Sequence, residues 1–318
     1  MARGDGDGWV VLDDGTRRWG RYGAAGLLLY GTDAAGRDRV LLQRRVWWSH
    51  QGGTWGVPGG ARDSSESSMY AAVREFTEEV RAEQAGADWG PDELGRWLSP
   101  VGIHRQDHGR WSYDTVLARL PGCPPMHPGN GESSAVEWVT LDTVTDRTLH
   151  PGFAGVWPQL RGLLPARMVL VVDAVAPTAS ANGSTGNGAG HAGGPATLHR
   201  HLTTLASTGL AAEALPYEVG RWELRRWFPR VRLVVSGEQQ PPPPQVPEVE
   251  VVSTPGGTPT DGFGAGAAAV VEAARVADAT TVVVVTDDPQ ARQRCADAGA
   301  HVCSSAWLEW ALPRHPAR

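Results

Sequence analysis

Apolar positions in the first half of the chain fall into short runs separated by glycine and polar turns. Residues 26–30 (GLLLY) and 40–45 (VLLQRR) read as strands, with the polar stretch 31–39 between them as a hairpin loop. Residues 10–14 read as a short strand or an arm, and 47–60 as a long glycine-rich loop. The period then changes. Residues 67–81 predict a helix on which Ala71, Ala72 and Phe76 turn inward while Glu75, Glu78 and Glu79 gather elsewhere on its surface. Strands follow at 101–104 and 111–118, joined by the turn Asp107-His108-Gly109, and at 135–139. Residues 149–164 carry the signals of a closing helix broken by Pro151 and Pro158.

A second module begins near Arg167. The run MVLVVDA has no polar alternation, as expected of a strand covered on both faces of a parallel sheet. Strands are expected at 231–235, 249–253 and 280–286, and helices at 197–214, 266–277, 290–298 and 307–312. Two stretches interrupt this alternation: a low-complexity insert at 177–195, rich in Gly, Ala, Ser and Asn, and a proline run within 239–247. The fold class is therefore α/β, with domains expected at 20–165 and 166–318, the second a Rossmann-like three-layer domain with a mostly parallel sheet.

Bulk properties narrow the function classes. A chain of 318 residues with 41% apolar content suits two packed domains. A formal net charge of −6 argues against general coating of a polyanion, although a local basic groove stays open. Cys123, Cys295 and Cys303 lack the number and spacing of a disulfide framework or zinc site and read as reduced thiols. The polar, glycine-rich N-terminus has no apolar signal core, and the apolar runs are too short to span a bilayer. These features together give a cytoplasmic expectation.

The most informative segment is GGARDSSESSMYAAVREFTEEVRA, residues 59–82. On a helix, Glu75 neighbours both Glu78 and Glu79, and three carboxylates on one face repel unless a hard cation lies between them. Magnesium, with manganese as its substitute, prefers oxygen ligands and brings phosphate oxygens with it. Arg74 is placed to orient a carboxylate or balance charge. The bland alternative is a solvated acidic face, but the glycine-rich loop, Glu66 and the Arg-Glu pair coincide with it here.

The segment resembles the Nudix box: Gly60, five residues, Glu66, seven residues, Arg74-Glu75-Phe76, one residue, Glu78-Glu79. It departs at the final glycine, where Arg81 stands. In the family that glycine ends the helix in left-handed geometry, so Arg81 is expected to strain the turn or to let the helix run on. The similarity extends to LLQRRVWWSHQGGTWGVPGG, DHGRWSYDTVLA and LHPGFAGVWPQL, covering roughly residues 20–165. It implies a Nudix fold, an α/β/α sandwich with a mixed sheet. It implies a magnesium site from Glu75, Glu78, Glu79 and the Gly59 carbonyl, with Glu66 and Gly60 in support and Arg74 in the catalytic set. The implied activity is hydrolysis of a diphosphate linkage in a nucleotide-type substrate, with Glu75 or Glu132 taking the proton of the attacking water. Glu132 lies six residues before Trp138, where MutT-like members carry a glutamate, and Glu137 is the weaker alternative. Oxidised nucleotides and ADP-ribose-like diphosphates both remain open as substrates. Arg44 and His50 are candidates to meet phosphates, and Trp55, Trp111 and Tyr113, with Trp47 and Trp48, to stack a base, though tryptophan is more often packed. Many members of the family dimerise, which makes a homodimer an expectation.

In the second module Asp173, Asp287, Asp288 and Glu238 end strands, and Asp261 follows one through a glycine-rich loop. Acids converging from strand ends suit a divalent cation, and the arrangement resembles the NYN/PIN-like ribonuclease fold, which implies RNA as a partner. It departs from that family in Asp173-Ala174-Val175, where Asn is usual, and in the low-complexity insert. The structural reading, with strand-end Asp as helix cap or turn former, favours a degenerate, non-catalytic module. Three functions therefore compete: a hydrolase of nucleotide diphosphates, a nucleotide sensor without chemistry, and an RNA-processing nuclease acting through the second module.

Overall fold

The computed structural model describes residues 4–82, 94–95, 97–175, 194–216, 219, 223–235, 249–254 and 265–312. Its contacts fall into two compact units, Met1–Leu164 with Glu223–Arg225, and Pro165–Trp222 with Arg226–Arg318.

The first unit opens with a hairpin of β1 (Trp9–Val11) and β2 (Arg17–Trp19). The main strands are β3 (Ala24–Thr32), β4 (Asp38–Arg45), β5 (Trp55–Gly56) and β6 (Gly59–Ala61), then β8 (Ser99–Asp107), β9 (Ser112–Arg119) and β11 (Ser133–Thr140). They form a sheet in the order β11-β4-β3-β9-β8, with β5 on β4 and β6 on β3. The β3–β9 pair is parallel and the others are antiparallel, so the sheet is mixed. Eight of the nine residues of β3 are buried, which is why this strand reads as one apolar run without alternation. The helix α1 (Ser68–Glu79) packs across β3, β6 and β9 through Ala71, Ala72, Val73 and Phe76. Two short strands, β7 (Val80–Ala82) and β10 (Met126–Pro128), pair antiparallel beyond its end.

Two expectations about helix boundaries are corrected here. The helix ends at Glu79 and does not run to Arg81. Val80 is already extended (φ −127°, ψ 136°), and Arg81 pairs with His127 in the β7–β10 ladder. No left-handed residue is used at this helix end, so arginine in place of glycine meets no backbone penalty. The closing helix α2 (Pro151–Leu163) is continuous. Pro151 occupies its first turn, where no N–H donor is needed. Pro158 lies on the exposed side, where water can reach the carbonyl its ring leaves unbonded.

In the second unit β12 (Met168–Asp173), β15 (Arg230–Val235), β16 (Val249–Ser253), β17 (Thr281–Val285) and β18 (His301–Cys303) form a sheet in the order β16-β15-β12-β17-β18. Every pair in it is parallel, and the first strand lies at the centre with the chain wound outward to either side. The short strands β13 (Leu210–Ala211) and β14 (Arg226–Trp227) pair antiparallel apart from this sheet. One sheet face, with Val169, Val171, Val234 and Val284, forms a core with α4 (Ala265–Ala273) and α5 (Pro289–Asp297). α3 (Gly194–Thr208) contacts β15 and β16 and buries Leu198, Leu202 and Leu205 at helical spacing. It stops short of the expected 214 because Gly209 turns left-handed (φ 74°) and the chain enters β13. The last helix is α6 (Ser305–Ala311). Most of the 177–195 insert, the 239–247 proline run, Glu238 and Asp261 lie outside the described residues.

Candidate functional site

The acidic helix is held at both ends. Ser67 caps its start, its hydroxyl accepting from the Tyr70 N–H at 3.1 Å. Ser68 donates to Asp114 on β9, and Arg105 on β8 grips the same carboxylate through two hydrogen bonds of 2.7 Å. At the far end the Gly129 N–H donates to the Glu79 carbonyl at 2.7 Å, occupying one of the acceptors a helix leaves open.

The carboxylates then divide into distinct environments. Glu79 is buried, and its Oε2 accepts from the Gly59 N–H and from the Gln43 side-chain amide, both at 2.9 Å. Gln43 accepts in turn from Ser133 Oγ at 2.5 Å. Glu75 receives Arg74 Nη1 at 2.8 Å. Arg74 also grips Glu66 with two nitrogens, at 2.7 and 3.0 Å, and donates to the Ala61 carbonyl at 2.9 Å. Glu78 is the most open of the set, with Arg74 at 3.5 Å.

Burial dominates the electrostatics. Desolvation and the neighbouring Glu75 charge push Glu79 up to about 8. Desolvation likewise raises Glu75 to about 7, against the pull of Arg74 and with the push of Glu78 and Glu132. Burial alone would raise Glu66 as well, but its hydrogen bonds with Arg74 prevail and hold it below the usual range. Hydrogen bonding to Glu66, then to Glu75, holds the Arg74 guanidinium protonated more firmly than usual. Gly60 has a steric reason to lack a side chain, since a Cβ there would stand 2.5 Å from Glu75 Oε2.

These residues suit a divalent cation by donor chemistry. The set is all oxygen, crowded, and costly to keep ionised without a counter-charge. Among the described residues no three acidic, His or Cys side chains stand close enough to form a finished cage. Gly59, expected to offer its carbonyl, engages Glu79 through its N–H.

The remaining expected site residues scatter. Glu132 sits exposed on its loop, near enough that its charge raises both Glu75 and Glu79. Tyr113 turns its hydroxyl to the strap of Gly26 and Gly59, and burial, then Glu79 and Glu75, raise its pKa. Its ring, half-buried, lies 6.3 Å from that of Trp111. Trp111 is buried against Leu12 and Ala24, its indole N–H donating to the Trp19 carbonyl at 3.1 Å, so it is a core residue. Trp55 is 8% exposed, with the Arg147 guanidinium 4.3 Å above its ring. Trp47 and Trp48, by contrast, are 81% and 65% exposed. Arg44 is exposed and donates to the Gly53 carbonyl at 3.3 Å, whereas its neighbour Arg45 is the one whose charge reaches Tyr113. His50 is exposed beside Trp9. Glu137 pairs with Arg147 at 2.7 Å. Sequence reasoning missed Gln43, Ser133 and Arg45. Strand parity links Gln43 and Arg45 to one side of β4, but with both sheet faces covered the parity is silent in the sequence.

In the second unit the expected acids among the described residues, Asp173, Asp287 and Asp288, are engaged in structure. Asp173 accepts from the Val175 N–H at 2.9 Å and from Thr286 Oγ1 at 2.6 Å. Asp287 accepts from Ser305 Oγ at 2.5 Å, and Asp288 caps α5 through the N–H groups of Gln290 and Ala291.

Comparison with known proteins points to the first unit. The family model described as NUDIX domain matches residues 21–160. A Mycobacterium tuberculosis protein with the provisional name 8-oxo-dGTP diphosphatase 3 is 48% identical over 161 residues, covering 51% of this chain and 71% of the relative. A nucleoside triphosphate pyrophosphatase/Nudix hydrolase fusion protein of Bifidobacterium longum is 39% identical over 163 residues, covering 50% of this chain and 32% of the relative. Among solved structures, a Nudix hydrolase from M. smegmatis, RenU, is 42% identical with a TM-score of 0.43, covering 49% of this chain and 94% of that one.

Proposed function

This chain belongs to the NUDIX family, as a Nudix hydrolase of the pyrophosphatase kind, and we propose that it cleaves the diphosphate linkage of a nucleoside triphosphate with magnesium held at Glu75, Glu78 and Glu79. The observation that carries this is the pairing of a buried carboxylate, Glu79, with a half-buried one, Glu75, each raised by desolvation and by negative neighbours. Such a pair is unfavourable alone and suits a cation bound between the protein and the substrate phosphates. The named activity of the Mycobacterium relative, a diphosphatase of an oxidised guanine nucleotide, supports a nucleoside triphosphate as the substrate class.

When bound, magnesium neutralises phosphate charge and acidifies a water. The chain's own residues supply the rest. The Gly59 N–H and Gln43 fix one oxygen of Glu79, leaving the other as a ligand. Arg74 locks Glu66 and Glu75 to the Ala61 carbonyl and so holds the loop against the helix. Glu132, unencumbered on its loop, takes the proton of the attacking water, because Glu75 is already engaged by Arg74. The products are a nucleoside monophosphate and pyrophosphate.

A pyrophosphate-release assay with magnesium tests the reading. Glu78→Gln should abolish turnover with the fold intact, since among the described residues the Glu78 side chain makes one long hydrogen bond, to Arg74 at 3.5 Å. Turnover surviving that change would remove the metal assignment. Glu132→Gln should lose more in kcat than Glu75→Gln loses beyond its effect on metal binding, and the reverse would make Glu75 the base. For the second unit we propose a degenerate NYN/PIN-like module without chemistry, whose acids brace its strand ends.

A further inference from the structure

Residues 4–8 form an arm ahead of β1 that lies along the loop leading into the acidic helix, and the hydrolytic reading does not use it. Gly6 lets main chain meet main chain there. It is buried, and a Cβ on it would stand 2.2 Å from the Arg62 carbonyl oxygen. Its N–H donates to Asp63 Oδ1 at 2.8 Å, and its carbonyl accepts the Arg21 N–H at 2.7 Å. Beside it, Asp5 accepts twice from Ser64, from the N–H at 2.9 Å and from the hydroxyl at 2.5 Å. The same loop is tied to the segment after β2. Arg62 donates its N–H to the Gly23 carbonyl at 3.1 Å and its guanidinium to the Tyr22 carbonyl at 2.6 and 3.1 Å.

The backbone held in this way is the one that grips Glu66. Asp63 donates its N–H to Glu66 Oε2 at 3.0 Å and accepts the Glu66 N–H on its carbonyl at 3.1 Å. An acid three residues ahead of a glutamate can form a capping box, in which its side chain takes the glutamate's N–H. Here the Asp63 carboxylate accepts from Gly6 instead, so the arm fills the half of the motif that is otherwise local. From Glu66 the contacts run on into the site. Its two oxygens take Nε and Nη2 of Arg74, and Arg74 Nη1 reaches Glu75 at 2.8 Å. The charge of Asp5 opposes an ionised Glu66, so what Asp5 contributes comes through its hydrogen bonds and not through its charge. The arm lies ahead of residues 21–160, the part matched by the NUDIX domain model.

We propose that residues 4–6 are a positioning arm for the hydrolytic site, in which Asp5 and Gly6 hold residues 62–64 so that Glu66 stays aligned on Arg74 and Arg74 on Glu75. This rests on the hydrolase reading for what the alignment serves. Asp5, Gly6 and Asp63 are positioning residues. They act through Glu66 and Arg74 on the angle at which the Glu75 carboxylate is presented, so loosening them lowers turnover and cation affinity and leaves nucleotide affinity alone.

The test uses the full chain, with steady-state hydrolysis of 8-oxo-dGTP in magnesium and a manganese titration followed by electron paramagnetic resonance. Loss of a group that orients a metal ligand typically costs about 10–100-fold, and the arm acts further out, so Gly6→Ala should lower kcat by about ten-fold and Asp5→Ala by about three-fold. Manganese affinity should fall with kcat, and KM should stay as in wild type. Asp5→Asn removes the charge but can still accept from the Ser64 N–H and donate to its hydroxyl, so it should restore most of the kcat that Asp5→Ala loses. Asp14→Ala removes two hydrogen bonds within the β1–β2 turn, to the Thr16 N–H and hydroxyl, and should leave kcat unchanged. Asp5 and Ser64 are exposed, so Asp5→Ala leaves the core intact and its kcat is read on a folded protein. Wild-type kcat and manganese affinity in both Gly6→Ala and Asp5→Ala would overturn the arm's role. So would an Asp5→Asn as impaired as Asp5→Ala, an equal loss in Asp14→Ala, or a change confined to KM. Turnover surviving in Glu78→Gln bears on the metal assignment alone, and the kcat comparison among the arm variants then decides the proposal by itself.

Discussion

Gln43 on β4 donates its side-chain amide to Glu79 at the end of α1, 2.9 Å away and across 36 positions of sequence. The same amide accepts from Ser133, so one buried polar chain joins the Glu132 loop, the sheet and the acidic helix. An amide holding a metal-bound carboxylate fixes which oxygen is free, and loss of such a partner typically costs about 10–100-fold in metal affinity or activity. Gln43→Leu should therefore weaken manganese binding and kcat by roughly ten-fold or more. Ser133→Ala should do so less, and should add little once Gln43 is gone, because it acts through Gln43. Titration with manganese by electron paramagnetic resonance, on single and double variants, reads this directly.

Glu79 supplies a pH dependence of stability whose sign follows from burial. Its carboxyl titrates near 4.5 when exposed and at about 8 in the fold. Between these values the folded state binds more protons than the unfolded one, so metal-free stability falls as pH rises from about 5 to 8. The loss amounts to a few kcal/mol at most, roughly 1.4 kcal/mol per pKa unit. Melts of wild type in chelator at pH 5.5 and 8 should show the decline, Glu79→Gln should shrink it and leave the smaller part that Glu75, raised to about 7, contributes with the same sign, and added magnesium should raise the wild-type midpoint most at pH 8. A wild-type midpoint that rises with pH in chelator would contradict the burial of an ionised Glu79.

Gly60 tests the crowding around Glu75. A methyl group there would sit 2.5 Å from Glu75 Oε2, so the carboxylate or the loop must move. Gly60→Ala should lower kcat/KM by at least about ten-fold, since displacements near 1 Å at a reacting group cost up to about 100-fold, while the melting midpoint falls by only a few degrees. Gly36→Ala makes a useful contrast. A methyl there meets nothing, so only the left-handed backbone (φ 76°) is taxed and activity should stay as it was.

What was legible in the sequence follows from separation along the chain. The acidic face of α1 depends on residues three and four apart, and that spacing is visible without a structure. Arg74 beside Glu66 and Glu75 is nearly as local. Gln43 with Glu79, and Ser133 with Gln43, join positions 36 and 90 residues apart, and nothing in either neighbourhood announces the partner. The tryptophans show the other limit. Trp55 and Trp111 are equally plausible as base platforms or core, and only the fold shows that Arg147 covers one and the Leu12–Ala24 core takes the other. At Arg81, a family pattern suggested strain that the local geometry does not contain, because the chain leaves the helix directly into a strand.

The second unit offers the sharpest test of a structural against a catalytic role for strand-end acids. Asp173 closes β12 and accepts from Thr286, just past the end of the neighbouring β17, at 2.6 Å. The contact ties together the two strands at which the winding of the sheet reverses, a place where α/β proteins often bind ligands. A carboxylate satisfied by its own turn and by a threonine has a bracing role open to it without any cation. Asp173→Asn can keep one acceptor, and Thr286→Val removes the donor, so each should cost about 1–2 kcal/mol and the pair should cost less than the sum. Chemical denaturation of the full chain would give these values if the unfolding of the second unit is followed at Trp227 or Trp307. In parallel, incubation of wild type with single-stranded RNA and magnesium should leave the RNA intact. Cleavage that Asp173→Asn removes, with stability unchanged, would make Asp173 part of a nuclease centre and would overturn the bracing role.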